Sequence, residues 1–199
     1  MKYFVDEKEI ILNRNLSKLD EFVLDFVTII SKYTRYVLIS GYVSILLGRS
    51  RATEDIDIFI EEISKQKFKE MYFELVKKGF FCLNSDNFEI VFEYICDNLA
   101  IRFAKGGPIP NIEVKFPKDN LDKGAFDDFI TVNLPSGKLK ISNLEKQIAF
   151  KRYFLGSEKD LEDALHLEEL FKDKLDYGKI KKTQELIKNR RFYDEKEVS

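Results

Sequence analysis

The chain has no tryptophan, one histidine, two cysteines, four prolines and nine glycines in 199 residues. A single histidine, His166, removes His-based nucleophilic catalysis and leaves no Ser-His-Asp set to assemble. Cys82 and Cys96 are too few and wrongly spaced for a common zinc pattern, and two thiols in a reducing cytosol are the expectation. Scarce proline and glycine exclude collagen-like or low-complexity architecture. The longest nearly apolar run, Tyr36 to Gly48, is shorter than the roughly 20 residues a membrane helix needs. Charges interrupt the N-terminal MKYFVDEKEIILNRN, so it does not read as a signal peptide. No sign of charge dominates: 33 Lys+Arg meet 35 Asp+Glu, a net of −2, which gives no global drive onto nucleic acid or an anionic membrane. These absences point to a cytoplasmic protein with no membrane partner.

What is present is a globular composition long enough for a substantial core, 44% hydrophobic and 34% charged. No internal repeat is visible. Leu19, Phe22, Val23, Phe26, Val27 and Ile30 fall on one helical face, and Ser17 with Asp20 has capping-box spacing, which predicts a helix over about Asn15 to Lys32. Tyr36 to Ser40 reads as a buried strand, Tyr42 to Leu47 as a short helix, Asp55 to Ile60 as a second strand, and Ser64 to Lys78 as a helix. Asp86 to Asp97 fits a helix or a strand pair. Ala100–Ala104 and Ile112–Phe116 read as a hairpin across Lys105-Gly-Gly-Pro-Ile-Pro-Asn111. Phe129–Leu134 and Lys138–Ile141 flank a turn at Pro135-Ser-Gly137. Beyond Ser142 the pattern is helical, with capping-box spacings at Ser142…Glu145 and Ser157…Asp160. The expected fold is therefore α+β: a mixed α/β part over residues 1–141 and a C-terminal helical region over 142–199 packed on it.

Chemistry concentrates between Ser40 and Ile58. Ser40-Gly41 closes a strand and opens a helix; glycine permits a tight turn, and helix-start N–H groups favour phosphate. Ser40 and Ser44 offer hydroxyls. In Asp55-Ile-Asp57-Ile58 the side chains alternate, so both carboxylates share one face while the isoleucines enter the core. Two like charges on one face call for a cation, and hard oxygen ligands select Mg²⁺ or Mn²⁺. An Asp-x-Asp strand by itself is more often a solvated edge, and a Ser-Gly turn is more often just a turn; their close succession is what points to function.

Gly41, a short helix and Asp55-Ile56-Asp57-Ile58 together resemble the signature of the DNA polymerase beta-like nucleotidyltransferase superfamily. The lead-in Arg51-Ala-Thr53-Glu-Asp55 is similar to its branch of abortive-infection-type toxins and uncharacterised prokaryotic proteins. The resemblance implies a small mixed sheet flanked by helices, with a C-terminal helical bundle. It also implies a metal-dependent nucleotidyltransferase moving a nucleoside monophosphate from an NTP to an acceptor: RNA, protein or a small molecule. Asp55 and Asp57 would hold the metal, with Glu113 of Ile112-Glu-Val114 as the third acid. Ser40, Gly41, Ser44, Arg51 and Lys151 would meet the nucleotide. Two departures stand out. Tyr42 follows the glycine where the family has Gly or Ser, and the third acid is Glu rather than Asp. A ring plugging the turn would instead make this a nucleotide-binding regulatory protein of a toxin–antitoxin-like system. The basic run Lys179, Lys181, Lys182, Lys188, Arg190, Arg191 fits a solvated helix face or, as a third reading, a contact with RNA. His166 is assigned no role.

Overall fold

The computed structural model describes residues 1–197, with side chains through residue 189. Two short strands, β1 (Lys2–Phe4) and β2 (Glu9–Ile11), precede the first helix, α1 (Lys18–Ile30). The Ser17 capping box forms: its side chain accepts from the Asp20 N–H, and Asp20 accepts from the Ser17 N–H at 2.8 Å. Then come β3 (Tyr36–Leu38), α2 (Gly41–Leu46), β4 (Asp55–Ile60), α3 (Lys65–Lys77), β5 (Phe80–Cys82), α4 (Phe88–Cys96), β6 (Ile101–Lys105) and β7 (Asn111–Lys115). The ambiguous 86–97 segment is thus a helix, capped by Asn87, with Phe88, Val91 and Ile95 buried on one side. A single turn, α5 (Asn120–Lys123), leads to the hairpin of β8 (Phe129–Leu134) and β9 (Gly137–Ser142). The chain finishes through α6 (Leu144–Phe150), a π-helical turn at Lys151–Leu155, α7 (Glu158–Phe171) and α8 (Tyr177–Glu197). The cap of α6 is Asn143, whose side chain accepts from the N–H groups of Glu145 and Lys146; the predicted Ser142 cap is off by one residue. Ser142 is instead the last residue of β9, and its hydroxyl accepts from the Gln147 side chain.

Among the described residues, nine strands form one mixed sheet in the order β1-β2-β8-β9-β3-β4-β7-β6-β5. The centre of that order matters for function. β4 lies between β3, antiparallel to it, and β7, parallel to it. Period-two alternation sends Ile56, Ile58 and Ile60 into the core, each fully buried, and keeps Asp55, Asp57 and Phe59 on the opposite face. β7 repeats the pattern: Ile112 and Val114 go to the core, while Asn111, Glu113 and Lys115 take the other face. Phe26, Phe68, Phe80 and Phe103 fill the core beside the sheet, with Phe26 meeting both Phe80 and Phe103.

The C-terminal helices are tied through charge to the segment between α2 and β4. Asp163 of α7 is fully buried and receives Arg49, Arg51 and Lys151. Arg51 is bidentate, Nε to Oδ1 at 3.0 Å and Nη2 to Oδ2 at 2.9 Å. Lys151 Nζ, itself fully buried, stands 2.8 Å from Asp163 and 3.2 Å from Asp160. Arg49 Nε lies 2.7 Å from Asp163 as an ion pair without hydrogen-bond alignment. Burial pushes the Asp163 carboxyl up, but its bonds from Arg51 and Lys151 outweigh burial and hold it below the usual carboxylate range.

Candidate active site

The register of β4 and β7 puts Asp55 beside Asn111 and Asp57 beside Glu113. Because the pair is parallel and both strands alternate in phase, two acids of β4 and one of β7 come to one face. Lys115, two residues after Glu113, joins them there. Its Nζ lies 2.8 Å from Asp57 Oδ1 and 2.5 Å from Glu113 Oε1. Arg102, opposite Glu113 on β6, takes the other oxygen, Oε2, at 2.6 Å. Burial pushes the Glu113 carboxyl up, yet its bonds to Lys115 and Arg102 bring it below the ordinary carboxylate range. Burial likewise opposes the Lys115 charge, and Asp57 and Glu113 more than restore it.

A cavity of about 540 Å³ opens beside this face. Asp57, Ser40 and Lys115 line it at one end, Lys118 and Lys146 contribute cations, and Phe116, Phe150 and Phe154 give it aromatic wall. Burial lowers the Lys146 ammonium below the usual lysine range, and its Nζ donates to the Gly124 carbonyl at 2.8 Å. Ser40 occupies an uncommon backbone state, φ 60° and ψ −136°, which costs a non-glycine residue about 1–3 kcal/mol. Its hydroxyl makes no cap bond to α2. A strained serine in the wall of the cavity, next to Asp57, is a local feature that the surrounding sheet and helix must hold in place.

The other predicted residues sit elsewhere. Asp55 is exposed just outside the cavity, with the Thr53 hydroxyl 3.4 Å from Oδ1. Ser44 is fully buried in α2 and its Oγ has no hydrogen-bond partner, so it does not replace a phosphate-turn hydroxyl. Arg51 and Lys151 are committed to Asp163, away from the cavity lining. A buried carboxylate on α7 holds both cations. Gly41 has a further reason to be glycine: a Cβ there would lie 2.3 Å from Arg51 Nη2. Arg51, Lys151 and Asp163 form an ion-paired cluster that ties α7 to the segment before β4.

Tyr42 does not plug the turn. Its ring is fully buried, and its hydroxyl donates to Asp20 Oδ1 of α1 at 2.9 Å. Burial, reinforced by the Asp20 charge, raises the phenol well above its ordinary value. Arg14 completes that cluster, with Nη1 2.6 Å from Asp20 Oδ2. His166 is half-buried, with Nε2 3.3 Å from the Leu47 carbonyl. Cys82 and Cys96 are both free thiols. The basic run lies on α8, and its Arg190 and Arg191 side chains fall outside the described residues. Among the described residues no helix is long and apolar enough to cross a membrane.

The donor chemistry of the face suits Mg²⁺ or Mn²⁺. Asp55 and Asp57 are hard oxygen donors on one side of one strand. Beside Asp55 in register, Asn111 has a buried Oδ1 that accepts no hydrogen bond. Among the described residues no three acids, histidines or cysteines gather as a complete metal cage. Mg²⁺ commonly takes one or two carboxylates and completes its shell with water and substrate phosphate, so two carboxylates are a sufficient protein contribution. Sequence reasoning missed Arg102 and Lys115. Lys115 was within reach of it, since strand alternation from Glu113 places residue 115 on the same face.

No protein-family model matches this sequence, and no curated protein matches it at a significant level. Solved structures do match. An antigenic nucleotidyltransferase-like protein from Paracoccidioides brasiliensis aligns over 88% of this chain and 90% of its own, at 17% identity and a TM-score of 0.51. The antibiotic-resistance factor ANT(2'')-Ia aligns over 89% of this chain and 95% of its own, at 12% identity and a TM-score of 0.56. The mixed sheet, its flanking helices and the C-terminal helices that close on it are therefore a nucleotidyltransferase-like fold.

Proposed function

We propose that this chain is a metal-dependent nucleotidyltransferase that moves a nucleoside monophosphate from an NTP to an acceptor hydroxyl or phosphate. The observation that carries the reading is Asp57, beside Asp55 on one strand face, set in the wall of a cavity that also presents Ser40 and three lysines. In the reaction an acceptor oxygen forms a bond to the α-phosphorus, an acceptor hydroxyl giving up its proton to water, the bond from that phosphorus to the β-bridging oxygen breaks, and pyrophosphate leaves with the electron pair. Asp55 and Asp57 would hold a divalent cation, which would supply neutralisation of phosphate charge. Lys115, Lys118 and Lys146 offset the phosphate charge, and the Phe116, Phe150 and Phe154 side of the cavity accommodates the apolar faces of a base. Glu113 is the third acid of the face, with Lys115 on one oxygen and Arg102 on the other. Membership of the abortive-infection-type branch, on the likeness of Arg51-Ala-Thr53-Glu-Asp55, is part of the same proposal.

The regulatory alternative, nucleotide binding without turnover, draws on one observation: Asp57 and Glu113 are ion-paired to Lys115 instead of standing free. One assay separates the two. The protein is incubated with each α-labelled NTP, Mg²⁺, and cell RNA, lysate protein or small-molecule extract in turn. Transfer of label with release of pyrophosphate, lost in Asp57→Asn, is the expected result. Binding of an NTP with no transfer to any acceptor would favour the regulatory role, and no binding at all would refute both.

A further inference from the structure

Lys115 is the cavity lysine that is ion-paired to Asp57, the carboxylate the nucleotidyl-transfer reading assigns to the metal. It bridges Asp57 and Glu113, lines the cavity, and sits on a side chain that is 30% exposed. A lysine ammonium on a four-carbon stem is a mobile point charge, unlike a guanidinium fork. Its two carboxylate partners are not held equally. Glu113 keeps Arg102 on its second oxygen, whereas Asp57 has Lys115 as its ion-pair partner at 2.8 Å. If Lys115 moves, Glu113 remains paired and Asp57 is released. A divalent cation arriving at Asp57 while Lys115 stays would meet a like charge at close range on the same carboxylate.

We propose that Lys115 is a resident counter-cation of Asp57: it occupies the carboxylate while the cavity is empty and transfers its charge to the phosphates when a nucleotide enters. Metal and nucleotide then bind as a coupled pair, because the phosphates draw away the cation that blocks the metal ligand. By linkage, nucleotide raises metal affinity by the same factor as metal raises nucleotide affinity. This inference rests on the metal-and-nucleotide reading above.

The test follows two affinities on one substitution. Mn²⁺ binding is read from the loss of the free-ion electron paramagnetic resonance signal, and NTP binding is read separately in EDTA. Lys115→Gln should bind Mn²⁺ about fivefold or more tighter than wild type, and should bind metal-free NTP about fivefold or more weaker. A lysine that merely supports the fold would move both affinities the same way. Lys115→Arg, which keeps the charge, should bind Mn²⁺ as weakly as wild type and guards against a folding defect in the glutamine variant. Asp57→Asn should abolish the Mn²⁺ signal change in every background. Equal Mn²⁺ affinity in wild type and Lys115→Gln, with both dependent on Asp57, would overturn the counter-cation role and leave the metal site standing. Absence of Asp57-dependent Mn²⁺ binding in all variants would overturn the metal reading and this inference with it.

Discussion

Tyr42 follows the glycine of the turn, yet its ring belongs to the core and its hydroxyl to Asp20. Removing that hydroxyl in Tyr42→Phe should cost about 1 kcal/mol of stability, since Asp20 keeps Arg14 and Ser17. Tyr42→Ser should cost a few kcal/mol more through the cavity it leaves. Denaturant unfolding reads both, and the midpoint of NTP binding should not change in Tyr42→Phe. Gly41 tests a different contact. In Gly41→Ala the new methyl would press on Arg51 and disturb its bidentate pair with Asp163. A loss of about 1–3 kcal/mol is expected in the same unfolding measurement. At this scale the acids were legible in sequence, because strand alternation alone puts Asp55 and Asp57 on one face. The burial of Ser44 and the Asp163 partner of Arg51 and Lys151 were not. Whether a cation meets a phosphate or a buried carboxylate depends on where α7 docks, and no local pattern carries that.

Among the elements, the legible ones were those with strong periodicity, an apolar run or a turn signal: α1, β3, α2, β4, α3, and the hairpins β6–β7 and β8–β9. The strands β1, β2 and β5 escaped because, unlike the apolar Tyr36–Leu38 run that ends at Ser40-Gly41, they are short segments without a continuous buried run, and pairing to neighbours creates them. The helix α7 carries the most consequential single carboxylate of the C-terminal part. Asp163→Ala would leave Arg51 without its carboxylate and Lys151 with Asp160 alone. Breaking a buried pair from one side costs about 3–5 kcal/mol, so this variant should be near the limit of folding. Leu161→Ala, on an exposed position of the same helix, should stay within about 0.5 kcal/mol and serves as the control. Thermal unfolding followed by circular dichroism distinguishes the two.

For the molecule as a whole, several native carboxyls, Asp20, Glu113 and Asp163 among them, are held below their ordinary values of 3.8 to 4.5. The unfolded chain therefore binds more protons than the native one as pH falls through that range. Their stabilisation is complete above it and is lost progressively below it. Urea unfolding at stepped pH should show stability falling on the acid side of about pH 4.5. At the alkaline end, Tyr3 and Tyr36 are both pushed up to about 12, chiefly by burial. Above pH 10 the unfolded phenols ionise first, so stability should decline there as well.

The central claim is that Asp55 and Asp57 make one metal-and-nucleotide site. Its most direct test is the melting temperature of wild type and of the Asp55→Asn/Asp57→Asn double variant, each with and without Mg²⁺ and an NTP. A ligand that binds only the native state must raise the melting temperature. The account predicts a rise for wild type and none for a double variant that is folded by circular dichroism. The same rise in both proteins would contradict it.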